Sequence, residues 1–332
     1  MQSINAETVW NLNHTALHLL LVSGCLKPQS KTVRFYAPSF VYYKTKYFSS
    51  STQEFAMVSV TGNACTLNCK HCGGKPLQTM HPATSPQELY KLGLKLRLDG
   101  TKGMLISGGC QPNGSVPLDN FIPVLAQLKT ELGFTLFVHT GIIRRDTAFL
   151  LKQAGIDAAL IDVIGSQNTF QKTFNLKINL QEHITSLKSL HDAQLKVIPH
   201  LIVGLNDGKL EGEYTALRLI KENLNPAAIV ILAFMPLHGT EMAQTPPPQP
   251  LDIAKTIAVA RTMFPQTPLA LGCMRPKGKH RAQTDILALK AGVDAVAFPS
   301  PEAIAYAQKS GYNPILSSYC CAQLHQDFQP KP

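Results

Sequence analysis

No apolar stretch of this 332-residue chain reaches the roughly 18–20 residues that a bilayer-crossing helix needs, so a membrane is not an expected partner. Charge is sparse at 16%, aromatic residues make up 7%, and there is a single tryptophan. Disordered, collagenous and coiled-coil compositions are absent, while 45% hydrophobic residues suffice for a large core. The formal charge is +10, yet lysine and arginine form no long block. Interleaved aromatic and basic residues occur only from Arg34 to Phe48, which also reads as an extended connector. Nucleic acid is therefore not expected, and the positive charge suits a solvated basic surface, an acidic partner or an anionic cofactor. Residues 16–25 look like the end of a lipoprotein signal, but Glu7 stands where a positive segment would be required. They read instead as part of an amphipathic helix from about Glu7 to Val22, closed by Gly24, in a cytoplasmic protein.

From residue 57 onward, eight short apolar runs alternate with helical patterns. The runs are Met57–Val60, Met104–Ser107, Leu136–Val138, Leu160–Val163, Val197–Ile202, Ile229–Leu232, Leu269–Leu271 and Ala295–Phe298. Between them, Gln87–Leu98, Leu118–Leu132, Glu211–Asn223 and Ile253–Phe264 carry helical periodicity. Such alternation predicts parallel strands joined by right-handed crossovers. The expected fold is an α/β (β/α)8 TIM-type barrel, with an open doubly wound sheet as the alternative. It is preceded by an N-terminal helix and connector (1–55), occupies 56–312, and is followed by a C-terminal cysteine-bearing tail (313–332). Ser85-Pro86 with Glu88, and Ser300-Pro301 with Glu302, are helix starts. The string around Gly155 recurs around Gly292, as expected of repeated units. Pro199 inside a buried strand predicts a bulge or an early end to pairing.

A parallel barrel keeps its active site at the C-terminal strand ends. The residues there are polar: Thr61, Asn63, Ser107, His139, Asp162, His200, Arg275 and Ser300. Any one of them also reads as an ordinary cap or loop residue; the set favours a ligand-binding face.

The eight cysteines stand at 25, 65, 69, 72, 110, 273, 320 and 321. In a large chain without an export signal, clustered thiols bind metal or do redox chemistry more often than they pair. Cys65-x3-Cys69-x2-Cys72 directly follows the first strand. Iron–sulfur cubes normally take four cysteines, so three leave one iron open to an external chelator. A zinc site would need a fourth ligand, for which His71, adjacent to Cys72, is poorly placed. A chance cluster is the remaining alternative.

The segment CTLNCKHC after a first barrel strand resembles the signature of the radical S-adenosylmethionine (SAM) superfamily. The resemblance implies a [4Fe–4S] cluster on Cys65, Cys69 and Cys72 whose open iron binds SAM. Cleavage of SAM would then give a 5′-deoxyadenosyl radical that takes a hydrogen atom from an unactivated carbon. It further implies that Ser107-Gly108-Gly109 contacts the methionyl group, with Cys110 replacing the usual acidic residue. Asp162 is placed like the ribose contact, and Ile202-Val203-Gly204-Leu205 and Leu232–Pro236 like the two sides of the adenine pocket; for Ile202 and Val203 a barrel-core role fits equally. Asn63, His139 and His200 complete the cofactor-binding candidates, and Cys110 and Arg275 are the catalytic ones.

Within the superfamily the chain resembles the biotin-synthase-like branch, through Pro236-Leu-His-Gly239-Thr240 and Arg275. It departs from biotin synthase where that family's auxiliary cysteines fall, with Phe137 and Ile198 near two of those positions. The phrases FYAPSF, LNCKHCGGK, LISGGC, VPH-x-IVGL, LGCMRP and AFPSPEA, with two C-terminal cysteines, are similar to the second component of two-protein, archaeal-type lipoyl synthases. That implies sulfur insertion into an octanoyl chain on a lipoyl carrier protein, the sulfur coming from an auxiliary [4Fe–4S] cluster. Its expected ligands are Cys273, Cys320, Cys321 and Cys25, with Cys110 competing for the fourth place; each isolated cysteine also reads as a small buried apolar residue. A second radical SAM synthase subunit and a ferredoxin or flavodoxin electron donor are the other implied partners. The loop Lys277, Lys279, His280 and Arg281 is a candidate dock for an acidic carrier, or a solvated basic loop. The alternatives are a mutase or metallocofactor maturase of the same branch without sulfur insertion, and a non-catalytic metal-stabilised binding module.

Overall fold

The computed structural model describes residues 5–38, 41–51 and 54–328. Ser39 and Phe40, which end the phrase FYAPSF, lie outside the described residues. Among the described residues eleven strands form one sheet: β1 (Thr32–Tyr36), β2 (Phe55–Ser59), β3 (His81–Pro82), β4 (Gly103–Ser107), β5 (Thr135–His139), β6 (Ala158–Asp162), β7 (Val197–Val203), β8 (Ile229–Ala233), β9 (Leu269–Leu271), β10 (Ala295–Ala297) and β11 (Asn313–Ser317). Their spatial order is β11-β1-β10-β9-β8-β7-β6-β5-β4-β2-β3, and every pairing is parallel.

The eight expected runs are β2 and β4 to β10. The closed (β/α)8 expectation is corrected to a curled, open parallel sheet. Three strands went unforeseen, and two of them change the topology. β1, inside the expected connector, enters beside β10, and β11 adds outside β1. Among the described residues no ladder joins β11 to β3. Both edge strands carry a proline, Pro82 and Pro314, which cannot donate to a further strand.

Pro199 neither bulges nor ends its strand. β7 runs on to Val203, Pro199 registers with Ile161, and the ladder to β8 begins one residue later, at His200. The missing donor thus falls just before the regular β7–β8 ladder begins. The single N-terminal helix expected from Glu7 to Val22 is two, Ala6–Asn11 and His14–Val22, because Asn13 caps the second by accepting from Ala16 N at 2.9 Å.

The repeat around Gly155 and Gly292 has a structural basis. Each glycine ends a helix at positive φ, 76° and 91°, and each is followed two residues later by an aspartate. Asp157 accepts from Leu136 N at the start of β5 (2.7 Å) and from Lys129 Nζ. Asp294 accepts from Leu269 N at the start of β9 (2.8 Å) and pairs with buried Arg261. Each carboxylate ties a strand's first free N–H to a cation on the preceding helix.

Parallel barrels usually fill their lumen with bulky branched side chains. Here the inner wall includes Ala158, Ala228, Ala270, Ala295 and Ala297, and the C-terminal segment occupies the space they leave. After β11 the chain turns inward at Ser318, whose Oγ accepts from Ser51 N at 2.9 Å. Cys321, Ala322 and Leu324 are buried in the inner cluster, and His325 packs edge-on against Phe137. Asp327 anchors the end, accepting from the Tyr36 hydroxyl and pairing with Arg34 at 3.3 Å.

Candidate active site

The cysteine loop leaves the C-terminal end of β2. Ser59 Oγ donates to Gly62 O at 2.6 Å and closes the first turn. Thr61 Oγ1 accepts from Gly109 N at 2.7 Å, and Thr66 N donates to Cys110 O at 2.9 Å, so the end of β4 grips the loop. A Cβ on Gly109 would lie 2.0 Å from Ala64 O and 2.6 Å from the Cys65 Cα; only glycine permits this approach. The loop's other side is held by residues 173–175. Lys70 N donates to Thr173 O, and the Asn175 amide donates to Leu67 O and Asn68 O, both at 3.1 Å.

This brings Cys65, Cys69 and Cys72 to one place beside Cys110. The ligand atoms of Cys69, His71 and Cys72 lie within 4.8 Å of one another. A thiol–thiol hydrogen bond from Cys69 to Cys72 pushes Cys69 far up and holds Cys72 down at about 4, His71 assisting at Cys72. His71 Nδ1 is buried without a partner, as expected beside a group that the protein alone does not supply. The donor set, three cysteines on one tightly held loop with Cys69 and Cys72 in contact, fits a [4Fe–4S] cube on Cys65, Cys69 and Cys72 with one iron left open.

Cys110 is half-buried, and its thiol is pushed up to about 12 by burial, then by Cys65 and Asp162. Ser107 ends β4, and Gly108 packs its backbone on Thr61 and Val60. Ile202 and Leu232 are register partners on β7 and β8. Asn63 is exposed on the turn after β2.

His139, Asp162 and His200 end or lie near the ends of three neighbouring strands, with ligand atoms within 4.8 Å of one another. Burial opposes ionisation of Asp162, but His139, 3.5 Å away, prevails and holds the carboxyl down at about 2. For His139 burial likewise opposes charge, and Asp162 raises it. His200 is held down at about 4 by burial and by His139.

Three more cysteines share the inner apolar cluster, less tightly gathered than Cys69, His71 and Cys72, since their sulfurs do not all lie within 4.8 Å of one another. Cys273, just past β9, and Cys320 both pack against the inner cluster to which buried Cys321 belongs. Cys320 is lowered by a hydrogen bond from Cys321, and burial pushes Cys273 up to about 11. Cys25 is not brought to them. It is exposed, four residues before Gln29, whose N–H donates to Asp294 at the opposite, N-terminal edge of the sheet.

Arg275, expected among the catalytic residues, is fully buried as a clamp. It donates to Asp285 (2.8 Å), Gly272 O (2.6 Å) and Phe298 O (3.2 Å), and Asp285 in turn accepts from Ser300 N. Arg281 was read as part of an exposed loop but folds inward beside Cys273. It donates to Arg275 O, and its Nε is buried without a partner. His280 also turns in, to Pro248 O at 2.8 Å, leaving Lys277 and Lys279 exposed. No signal in a basic loop distinguishes an inward arginine from an outward lysine except the guanidinium's tolerance of burial.

Residues 59–216 match the Radical SAM superfamily. Among curated proteins, the chain is 24% identical over 263 residues to biotin synthase of Neorickettsia sennetsu, covering 76% of this chain and 78% of that protein. It is 20% identical over 241 residues to biotin synthase of Vesicomyosocius okutanii, covering 71% and 74%. Among solved structures, the [FeFe]-hydrogenase maturase HydG superposes with a TM-score of 0.65 at 18% identity, covering 98% of this chain and 74% of that one. Methylornithine synthase gives 0.59 at 14% identity, covering 93% of each. These two share the fold. No helix among the described residues is long and apolar enough to cross a membrane. Residues 59–216 therefore carry a radical SAM domain, and the curated proteins to which the chain is similar over 71–76% of its length are biotin synthases.

Proposed function

We propose that this radical SAM enzyme inserts sulfur into an octanoyl chain on a lipoyl carrier protein, drawing the sulfur from an auxiliary cluster in its lumen. The observation that carries this reading is the gathering of Cys273, Cys320 and Cys321 on the inner wall, beside an arginine whose Nε is buried and unpartnered. A buried, unpaired guanidinium nitrogen beside thiols suits an anionic iron–sulfur group. Cys273, Cys320 and Cys321 would hold that group, with Arg281 against it.

When bound, SAM and its cluster would supply the radical chemistry that removes a hydrogen atom, and the auxiliary cluster would supply the sulfur. The chain's own residues prepare this. Cys65, Cys69 and Cys72 hold the first cluster, and the Gly109 approach fixes Cys65 against β4. Ser107 and Gly108 offer strand-end backbone to the methionyl group, and Ile202 and Leu232 form an apolar wall for the adenine. Burial keeps the Cys110 thiol protonated at neutral pH. Exposed Lys277 and Lys279 would steer an acidic carrier to the mouth.

The test is anaerobic reconstitution, then incubation with octanoylated carrier, SAM and dithionite, with and without a partner radical synthase. The expected result is about eight irons per monomer and a thiolated octanoyl product by mass spectrometry. About four irons and an unmodified carrier would favour a radical enzyme of the same branch that transfers no sulfur.

A further inference from the structure

We propose that His139, Asp162 and His200 form a second metal site, for one divalent first-row ion, separate from the thiol sites. The three residues come from β5, β6 and β7, consecutive neighbours in the sheet, and meet at the C-terminal mouth. One ligand atom from each lies within 4.8 Å of the other two, so a single ion can sit between them with little movement. His139 Nε2 and Asp162 Oδ1 face each other at 3.5 Å, too long for a good hydrogen bond, while the His139 and His200 rings stand 5.8 Å apart.

The backbone fixes the orientation of the third ligand. His200 Nδ1 lies 3.2 Å from Ile198 O, which makes it the donor and leaves Nε2 as a lone pair. Metal-bound histidines are held in this way, by a carbonyl or carboxylate on the other ring nitrogen. His200 is only 7% exposed, so its ring is kept in place by packing.

Two imidazoles and one carboxylate form a borderline donor set that suits Fe(II), Co(II) or Zn(II) rather than Mg or Ca, and three protein ligands leave coordination positions open. The trio contains no sulfur, which separates it chemically from the thiol groups. The strands that supply it are parallel and internal to the sheet, so the arrangement is as rigid as the barrel wall.

The probe is Co(II), titrated anaerobically into protein whose thiol sites have first been reconstituted with iron and sulfide. The expected result is one equivalent bound, with weak visible d–d bands and no near-ultraviolet thiolate charge transfer. D162N, which is isosteric, and H139A, on a partly exposed side chain, should each weaken Co(II) at least tenfold while leaving the iron content unchanged. Zn(II) should compete. Cobalt binding only with thiolate bands, or binding equally tight in both variants, would overturn the site. Absence of cobalt uptake combined with weaker SAM binding in D162N would also overturn it and return Asp162 to direct SAM contact.

Discussion

Replacing Gly109 by alanine should empty the radical cluster while leaving the barrel folded. The new Cβ would stand 2.0 Å from Ala64 O, where ordinary contact begins at 3.4 Å, so the loop must retreat by about 1.4 Å. The obstruction is backbone on both sides and cannot rotate away. Overpacking of this kind costs about 1–3 kcal/mol, tolerable for a sheet this large. A ligand constellation, however, tolerates only about 0.5 Å. Cys65 is covalently next to Ala64 and moves with it. G109A should therefore fall from about eight irons per monomer to about four after anaerobic reconstitution and lose SAM cleavage, with a far-ultraviolet circular dichroism spectrum unchanged. G108A is the control: its Cβ meets only side chains of Thr61 and Val60, at 3.1 Å or more, which can yield. If G109A took up iron as the wild type does, the glycine would not be positioning Cys65, and the account of the loop would fail.

Three further outcomes follow from the same structure. C273S and C320S should each lower iron from about eight to about four per monomer while retaining SAM cleavage, read by iron analysis and product chromatography. D327A should release the lumen segment from Tyr36 and Arg34, a loss of about 1–2 kcal/mol; hydrogen exchange across residues 319–328 should rise ahead of the rest of the chain. Burial holds His183 down at about 4 against an ordinary 6.5, so the unfolded chain takes a proton between those values that the folded one refuses. Stability should thus be complete above pH 6.5 and fall on acidification toward 4, by at most about 1.4 kcal/mol per pH unit from this residue. H183Q, which can still accept from Ile164 N, should flatten that limb in urea titrations; an unchanged slope would remove His183 as the cause.

Much of this architecture is legible in the residues. The eight apolar runs are strands because each is short, buried on both faces and bounded by turn chemistry, which local pattern records. The triad is legible because its spacing is itself the ligand set. β1 and β11 were not legible, since what makes Thr32–Tyr36 and Asn313–Ser317 strands is their pairing with each other across about 280 residues. The lumen segment escaped notice for a related reason. Alanines at 158, 228, 270, 295 and 297 look unremarkable one by one, and only the curl of the sheet sets them around one space. Arg275 and Arg281 show the same limit. Arg275 lies just past β9 and Arg281 in the first turn of the helix Lys279–Lys290, and tertiary packing alone makes the first a clamp and buries the second's Nε without a partner.

The central claim is that the loop after β2 carries a redox-active cube with one iron free for SAM. The direct measurement is 5′-deoxyadenosine formed by reconstituted protein given SAM and dithionite. It should form in the wild type and be lost in C65S, C69S and C72S individually. Protein that loads four irons yet forms no 5′-deoxyadenosine, or forms it equally without the three thiols, would contradict the claim.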